Sequence, residues 1–571
     1  MDISTLRHSA SHVLAQAVKM LFPKVKFGIG PAIDDGFYYD FDNIKLTPED
    51  LKKIEEKMNE IIKKDLPFKK QVVIKQKAKK LFKDQPYKLE LLKEMKDPIT
   101  TYQQGDFIDL CAGPHISSTG LIKAFKLLSI AGAYWKGSEK NKMLQRIYGT
   151  AFSTQKELDD FLKLKEEAEK RDHLKLGKEL EIFSIHQDVG AGLVHWHPNG
   201  AIIRNIIEDF WKQEHRKKGY LYVYTPHIGN IGLWKKSGHW TFYRESMYSP
   251  MKIDKTEYLI KPMNCPFHIQ IYQTRLRSYK ELPIRYCELG TVYRYERAGT
   301  LHGLTRVRGF TQDDSHIFCT PYQLQSEIEN VLDLALYMMS TFGFKDIKIY
   351  LSIRDPKKKD KFLGDDKSWK NAEDSLEKAL QKKKLKYEVQ EGEAVFYGPK
   401  IDIKVVDSLK REWQGPTIQV DFNFPEKFDI TYEGEDSKKH RVIMIHRTVL
   451  GSMERFIGCL IENYGGKFPI WLSPIQIILM TVTNRNIDFA KNLKQEFEKH
   501  NLRVQLDNRA ETISKKVRDA QLSKVPYMIT IGDKEQQTNK LAIRTRDGKV
   551  EVKDKDDFLR HIIQEIENRK C

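Results

Sequence analysis

Apolar residues recur at helical spacing in RHSASHVLAQAVKML near the N-terminus, which predicts an amphipathic helix with one buried face. A charged helix is predicted over 48–64, and glycine-containing strands through GDFIDLCAGPHI and YWKGSEKNKMLQRIYGTAF. From 155 to 173 the polar, heptad-like run LDDFLKLKEEAEKRDH reads as a solvated connector helix. The helix AIIRNIIEDFWKQEHRKKGY then leads into YVYTPHI; its amphipathicity says only that it packs on something. In 291–316, Arg294, Glu296 and Arg297 alternate as on a strand, and the polar stretch 298–303 with its two glycines would turn. Strand polarity resumes over 304–308, where Arg306 and Arg308 stand two apart, so a hairpin is predicted. From 469 onward IQIILMTV, LRVQLD, PYMITIGD and KLAIRTRD read as strands, separated by the helices NIDFAKNLKQEFEKH and ISKKVRDAQLSK and followed by a terminal helix. That alternation predicts a small α/β domain with a largely parallel sheet.

The whole is read as an α+β multidomain chain with segments 1–172, 173–468 and 469–571. Its 571 residues are too many for one domain and suggest three or four. Lysine and arginine number 97 against 79 acidic residues, a net charge of +18, which favours polyanionic partners such as nucleic acid. Lysine runs such as KKLFK and KKKLK are equally the solvated faces of ordinary helices, so charge alone decides little. Cys111, Cys265, Cys287, Cys319, Cys459 and Cys571 form no CxxC pair, which fits a reducing compartment. There is no charged-then-apolar leader and no apolar run near the ~20 residues of a membrane helix, so a soluble, cytoplasmic protein without a membrane partner is expected.

Two constellations carry chemistry. A hairpin with inward arginines suits a triphosphate, because guanidinium groups bind phosphate oxygens through paired hydrogen bonds. Glu296 among them either accepts from an adenine amino group or is a salt bridge only. Near the N-terminus, His8 and His12 share a helical face, and Cys111 and His115 follow in CAGPH. Taken alone, HxxxH plus CxxxH reads as a His₃Cys zinc site.

The segment 291–316 resembles motif 2 of class II aminoacyl-tRNA synthetases. KPMNCP, RVRGFTQDDSHIF, FYGPKIDI, WQGPTIQVDF and HRTVLGSMERF look like the threonyl-tRNA synthetase family, in that family's order and across essentially the whole chain. The resemblance implies an editing domain, a catalytic domain on an antiparallel sheet and an anticodon-binding domain. It implies ligation of L-threonine to tRNA(Thr) through an adenylate, with hydrolytic editing of seryl-tRNA(Thr). By resemblance Arg294 takes the α-phosphate and the amino-acid carboxylate, with Gln312 and His239 as further catalytic positions. Glu296 reads adenine, Arg306 contacts phosphate, and Arg455 packs on adenine and reaches the γ-phosphate, with Mg²⁺ on the pyrophosphate. Cys265, His316 and His446 bind one Zn²⁺ per subunit in the family. Three ligands leave a position open for the substrate, and Asp314, Tyr397, Gln414 and Gln419 complete the threonine pocket.

A zinc that reads the hydroxyl rejects valine but not serine, since one missing methyl group discriminates by only ~10–200-fold. An editing site therefore follows. The resemblance assigns it to His8, His12, Cys111 and His115, with Asp109 orienting the site and Tyr39 a lesser member; metal-free editing is favoured and a metal-bound quartet is the alternative. Glu535 and Arg544 match anticodon-contacting positions, or else form a surface ion pair. The helix and strand ending at Pro226 resemble motif 1, which implies a homodimer.

The chain departs from the family at Phe267, where NCPGH is usual, and at Ala510, where Asn-Glu is frequent. It also starts at the editing helix, without the small ubiquitin-like domain of many bacterial members. A different class of reading, a synthetase-like RNA-binding or regulatory protein, predicts decay at the activation arginines and zinc ligands, all of which are present.

Overall fold

The computed structural model describes residues 2–569. The first predicted helix is Ile3–Leu21, started by the Asp2 carboxylate, which accepts from the backbone N–H of Thr5 at 2.9 Å. Its Leu6, Ala10, Val13, Leu14 and Val18 are buried in one core with Phe37, Phe41 and Ile147. Those three lie in an antiparallel sheet ordered Lys26–Phe27, Gly36–Asp42, Met143–Phe152, Ala124–Tyr134. The charged helix is Pro48–Lys63, opened by a Thr47/Asp50 capping box, and it presents Ile54, Met58 and Ile61 to the same core. A second sheet joins Lys69–Val73, Ile99–Gln104 and Phe107–Leu110. The predicted strand through GDFIDLCAGPHI stops at Leu110, so Cys111 and His115 sit on the loop that follows. Contacts divide the chain into one compact unit ending at Glu166 and another beginning at Glu167, within the connector helix Gln155–Arg171.

The second unit is built on an eight-stranded sheet. Its order is Leu221–Tyr222, Ile284–Tyr293, Gly309–Cys319, Ile443–Thr448, Glu412–Asp421, Lys400–Val406, Ile347–Ile353, Glu388–Glu391. Every pairing is antiparallel except the two outermost. Alternation along the central strands separates two faces. Ile317, Ile445, Ile418 and Val420 join a core with Ile203, Ile207, Val331, Ala335, Ile457 and Leu460 from the helices Pro198–Lys217, Leu324–Thr341 and Met453–Tyr464. The other face carries the polar positions: Tyr286 pairs with His316, His316 with His446, and His446 with Gln419.

The strands Ile284–Tyr293 and Gly309–Cys319 do form an antiparallel hairpin, but residues 294–308, predicted to continue it, lie outside its ladder. The ladder ends at Tyr293↔Gly309, and 294–308 is a loop with a short 3-10 turn at Ala298–Thr300. Arg294 N–H still donates to the Arg308 carbonyl at 2.8 Å, but Arg308 N–H donates to Gly192 at 2.7 Å and Arg306 N–H turns back to His302 at 3.1 Å. With those donors diverted, neither side can extend the ladder.

The C-terminal sheet runs Val504–Asp507, Ile477–Thr481, Tyr527–Ile531, Lys540–Thr545, Val550–Asp554. Only its first two pairings are parallel, so "largely parallel" is corrected to mixed. The helix Asp533–Thr538 has 6 residues and ends at a left-handed Asn539, too short a crossover to bring the next strand back parallel. Cys111, Cys265, Cys287, Cys319 and Cys459 are free thiols; Cys571 lies outside the described residues. Among the described residues no helix is long and apolar enough to cross a membrane.

Candidate active site and metal centre

Cys265 opens the helix Cys265–Tyr272, while His316 and His446 lie directly opposite one another on adjacent strands. The sulfur and two imidazoles place ligand atoms within 4.8 Å of one another, all buried. His316 Nε2 and His446 Nδ1 are buried without a hydrogen-bond partner. Their other nitrogens are engaged: His446 Nε2 with Asp421 at 2.8 Å, His316 Nδ1 with His268 Nδ1 at 2.8 Å. His268 Nε2 in turn meets Glu288 at 3.1 Å. Glu288 can only accept when ionised, so His268 presents a bare Nδ1, His316 donates to it, and the free His316 nitrogen carries a lone pair. Burial and the neighbouring His268 and His446 imidazoles hold His316 neutral, the form that ligates metal; burial, with Asp314 and Asp421, raises the Cys265 thiol. Two orphaned nitrogens backed by partners on the far side are the outer-shell pattern of a histidine metal site. The donor set suits a borderline-soft cation.

Beside this group lies a cavity of about 310 Å³ lined by Cys265, Arg294, Gln312, Asp314, Tyr397, Gln419 and His446. Tyr397 donates to Gln419 at 2.6 Å, and Asp314 accepts from Asn264 at 2.9 Å. An adjoining cavity, also about 310 Å³, is lined by Arg294, Glu296, Arg306, Gln312, Gln414, Gln419 and Arg455. Arg294, Gln312, Thr417, Gln419 and Thr448 belong to both linings. Gln414 therefore borders the arginine-rich cavity rather than the one beside the metal group, and donates to Asp402 at 2.9 Å. Glu296 accepts from Arg306 at 3.1 Å, the salt bridge foreseen as its simpler role. Arg455 Nε donates to the Thr305 carbonyl at 3.0 Å. His239 is fully buried, held by Ser237 at 2.7 Å and packed edge-on against Phe396 and Phe424; it lines neither cavity, and burial pushes its pKa down to about 3.

In the first unit His8, His12, Cys111 and His115 bring their ligand atoms within 4.8 Å of one another. Cys111 Sγ is 3.3 Å from His8 Nε2 and 3.3 Å from His115 Nε2. His8 Nδ1 faces the Pro114 carbonyl at 3.2 Å and His115 Nδ1 faces Ser9 at 3.1 Å. Burial raises the Cys111 pKa to about 11 and lowers those of His8 and His115, so the cluster is a thiol among neutral imidazoles. Asp109 accepts from Tyr39 at 2.5 Å and from Lys88 at 2.6 Å, and lies 3.9 Å from His12. Lys88 is buried and forms that ion pair with Asp109; sequence reading missed it because PYKLELL has no recognisable spacing. Asp421 and His268 stand inside motifs that were recognised but, like Glu288, were missed because only the fold shows that they bond to the ligand histidines or to one another.

Glu535 sits in the short helix after Gly532, whose N–H it accepts at 2.9 Å; Arg544, on the neighbouring strand, donates to the Gly548 carbonyl at 3.2 Å. Backbone groups hold both. A groove of the same domain, which neither residue lines, is bordered by Thr483, Arg509, Ala510, Glu511 and Thr512.

Three family models match, in the same order as these features. They are the threonyl and alanyl tRNA synthetase second additional domain at 99–148, the tRNA synthetase class II core domain (G, H, P, S and T) at 248–464, and an anticodon binding domain at 476–566. A threonine–tRNA ligase of Dehalococcoides mccartyi is 57% identical over 570 residues, covering 100% of this chain and 97% of the relative. One from Borreliella afzelii is 51% identical over 570 residues, covering 99% and 97%. The crystal structure of the RNA binding domain of threonyl-tRNA synthetase from Cryptosporidium parvum Iowa II superposes with a TM-score of 0.66 at 38% identity, covering 69% of this chain and 98% of that one. Identity of this extent, end to end and through all three matched domains, makes the chain a member of the threonine–tRNA ligases of class II.

Proposed function

We propose that this chain activates L-threonine with ATP across the two joined cavities, passes it to tRNA(Thr), and hydrolyses seryl-tRNA(Thr) at the N-terminal quartet. The observation that carries the reading is the shared wall. Arg294 and Gln312 stand between a cavity beside a candidate metal group and a cavity edged by Arg306 and Arg455. A carboxylate from one side and an α-phosphate from the other would meet there. The threonine carboxylate oxygen forms the new P–O bond, the bond to the β-phosphate breaks, and pyrophosphate leaves with its charge. No proton need move, so positioning and charge neutralisation by Arg294, Arg306 and Arg455 do most of the work.

Cys265, His316 and His446 would hold Zn²⁺, which when bound takes the amino and hydroxyl groups of threonine and so distinguishes it from valine. Asp314 accepts from the same groups, and Tyr397 and Gln419 close the pocket behind them. Glu296 serves adenine once Arg306 turns to phosphate, and Mg²⁺ accompanies the pyrophosphate. In the quartet, His8, His12 and Cys111 hold a water against the ester, with Asp109 orienting His12. The splayed anticodon bases meet Glu535 and Arg544. Exposed Leu221 and Tyr224, 54% and 84% accessible beside the helix Pro198–Lys217, support a homodimer, and the free thiols support the cytoplasm.

Threonine-dependent ATP–pyrophosphate exchange, charging of tRNA(Thr), metal content and seryl-tRNA deacylation test this on one preparation. About one zinc per chain is expected, with charging intact and deacylation lost in His8→Ala. Bound zinc without exchange would overturn the ligase reading in favour of RNA binding alone. A second zinc lost with Cys111→Ala would overturn metal-free editing.

A further inference from the structure

His173 is fully buried where the chain leaves the connector helix, yet it lines neither cavity. Asp172 fixes it at the start of the helix His173–Glu179 by accepting from Leu174 N–H at 2.7 Å and Lys175 N–H at 3.2 Å. Its Nδ1 meets Glu462 at 2.5 Å, and its Nε2 accepts the backbone N–H of Leu304 at 3.0 Å. An Nε2 that accepts carries no proton, so the ring donates to Glu462 through Nδ1. Gly303 comes so close, at φ +46°, that a Cβ there would lie 2.1 Å from that nitrogen.

Leu304 belongs to the loop 294–308. The next residue, Thr305, gives its carbonyl to Arg455 Nε, and Thr305 and Arg306 both line the arginine-rich cavity. Arg455 and Glu462 share the helix Met453–Tyr464, so the contacts close a ring: His173, Leu304, Thr305, Arg455, Glu462 and back to His173. The other Glu462 oxygen is held by Arg411. Leu304 also buries its side chain in the main core and Arg306 pairs with Glu296 at 3.1 Å, but the His173 ring is what receives the Leu304 N–H and so fixes the backbone between them.

We infer that His173 is a positioning residue for ATP: by holding Leu304 it sets where the Thr305 carbonyl aims Arg455 and where Arg306 enters the cavity. It touches no substrate. The inference rests on the proposed use of that cavity for ATP.

The test is pyrophosphate exchange by the full chain. With His173→Leu, KM for ATP rises about tenfold or more, KM for threonine stays within about twofold, and seryl-tRNA deacylation by the same protein is unchanged. Gly303→Ala, which crowds the same nitrogen from the loop side, gives the same signature, and the double variant adds less than the product of the two. A lower Tm with both KM values unchanged in both variants would make His173 a structural contact only and overturn the inference. A wild-type chain with no threonine-dependent exchange would remove the inference together with the reading beneath it.

Discussion

His446 Nε2 and Asp421 Oδ2 lie 2.8 Å apart on adjacent strands, and this one contact decides which nitrogen of His446 is left for a cation. The second Asp421 oxygen accepts the N–H groups of Asn423 and Phe424, so the carboxylate cannot rotate away. Asp421→Asn puts an amide where the imidazole needs an acceptor, or breaks the two backbone bonds. Zinc affinity should fall about 10–100-fold, read by competition with a chromogenic chelator. Unchanged affinity would remove Asp421 from the metal site.

Arg294 borders both cavities and, on the proposed use of them, would bear on both reactants. Arg294→Ala should slow adenylate formation by about 10²–10³, the usual loss when one stabilising donor is removed from a developing negative charge. Arg306→Ala, which borders only the second cavity, should act mainly through ATP. Single-turnover formation of threonyl-adenylate separates the two; equal defects in both variants would contradict the division of the site.

Lys88 and Asp109 form a buried pair at 2.6 Å, each under 5% exposed, with Tyr39 bonded to both. Lys88→Met leaves the carboxylate buried without its cation and should destabilise the first unit by about 3–5 kcal/mol. Urea denaturation followed by a probe in that unit measures it. Tyr39→Phe removes one donor while Lys88 stays, and should cost about 1–3 kcal/mol. A larger loss for Tyr39→Phe than for Lys88→Met would reverse the assigned order.

Asp313 accepts from the backbone N–H groups of Val449, Leu450 and Gly451 and from Trp211. Burial raises its pKa to about 6, against the pull of Arg447 and those N–H groups. A carboxyl raised on folding keeps its proton longer in the folded state. Its contribution is therefore fully present below the unfolded pKa near 4 and is lost as pH rises through about 6. Relative to Asp313→Asn, the wild type should lose on the order of 3 kcal/mol between pH 4 and 7. Parallel stability profiles for the two proteins would show that Asp313 does not titrate there.

The first helix and the helices after 469 could be read from apolar spacing, because each has one face to bury, the strand Ile477–Thr481 from its unbroken apolar run, and the connector from its polarity. The loop 294–308 could not. Its alternation was genuine, but the Arg308 N–H is taken by Gly192, more than a hundred residues earlier in the chain. The Cys265, His316 and His446 group was legible through its surrounding motifs, whereas Glu288 and Asp421 matter only once β-register, and His268 only once the packing of the helix Cys265–Tyr272, sets them beside the ligands. Lys88 and His173 are ordinary residues in ordinary helical sequence, and their burial comes from elements remote in the chain. The antiparallel end of the C-terminal sheet turns on helix length, which sequence pattern fixes poorly.

The common wall of the two cavities has a consequence for what stays and what leaves. Threonine alone would touch one lining, and ATP chiefly the other. A molecule that spans Arg294 and Gln312 gathers contacts from both sides while giving up its freedom of motion only once. On the proposed use of the two cavities, the joined intermediate would be the species this pocket grips hardest, and a reactive anhydride would wait in place for the nucleic acid instead of escaping into water.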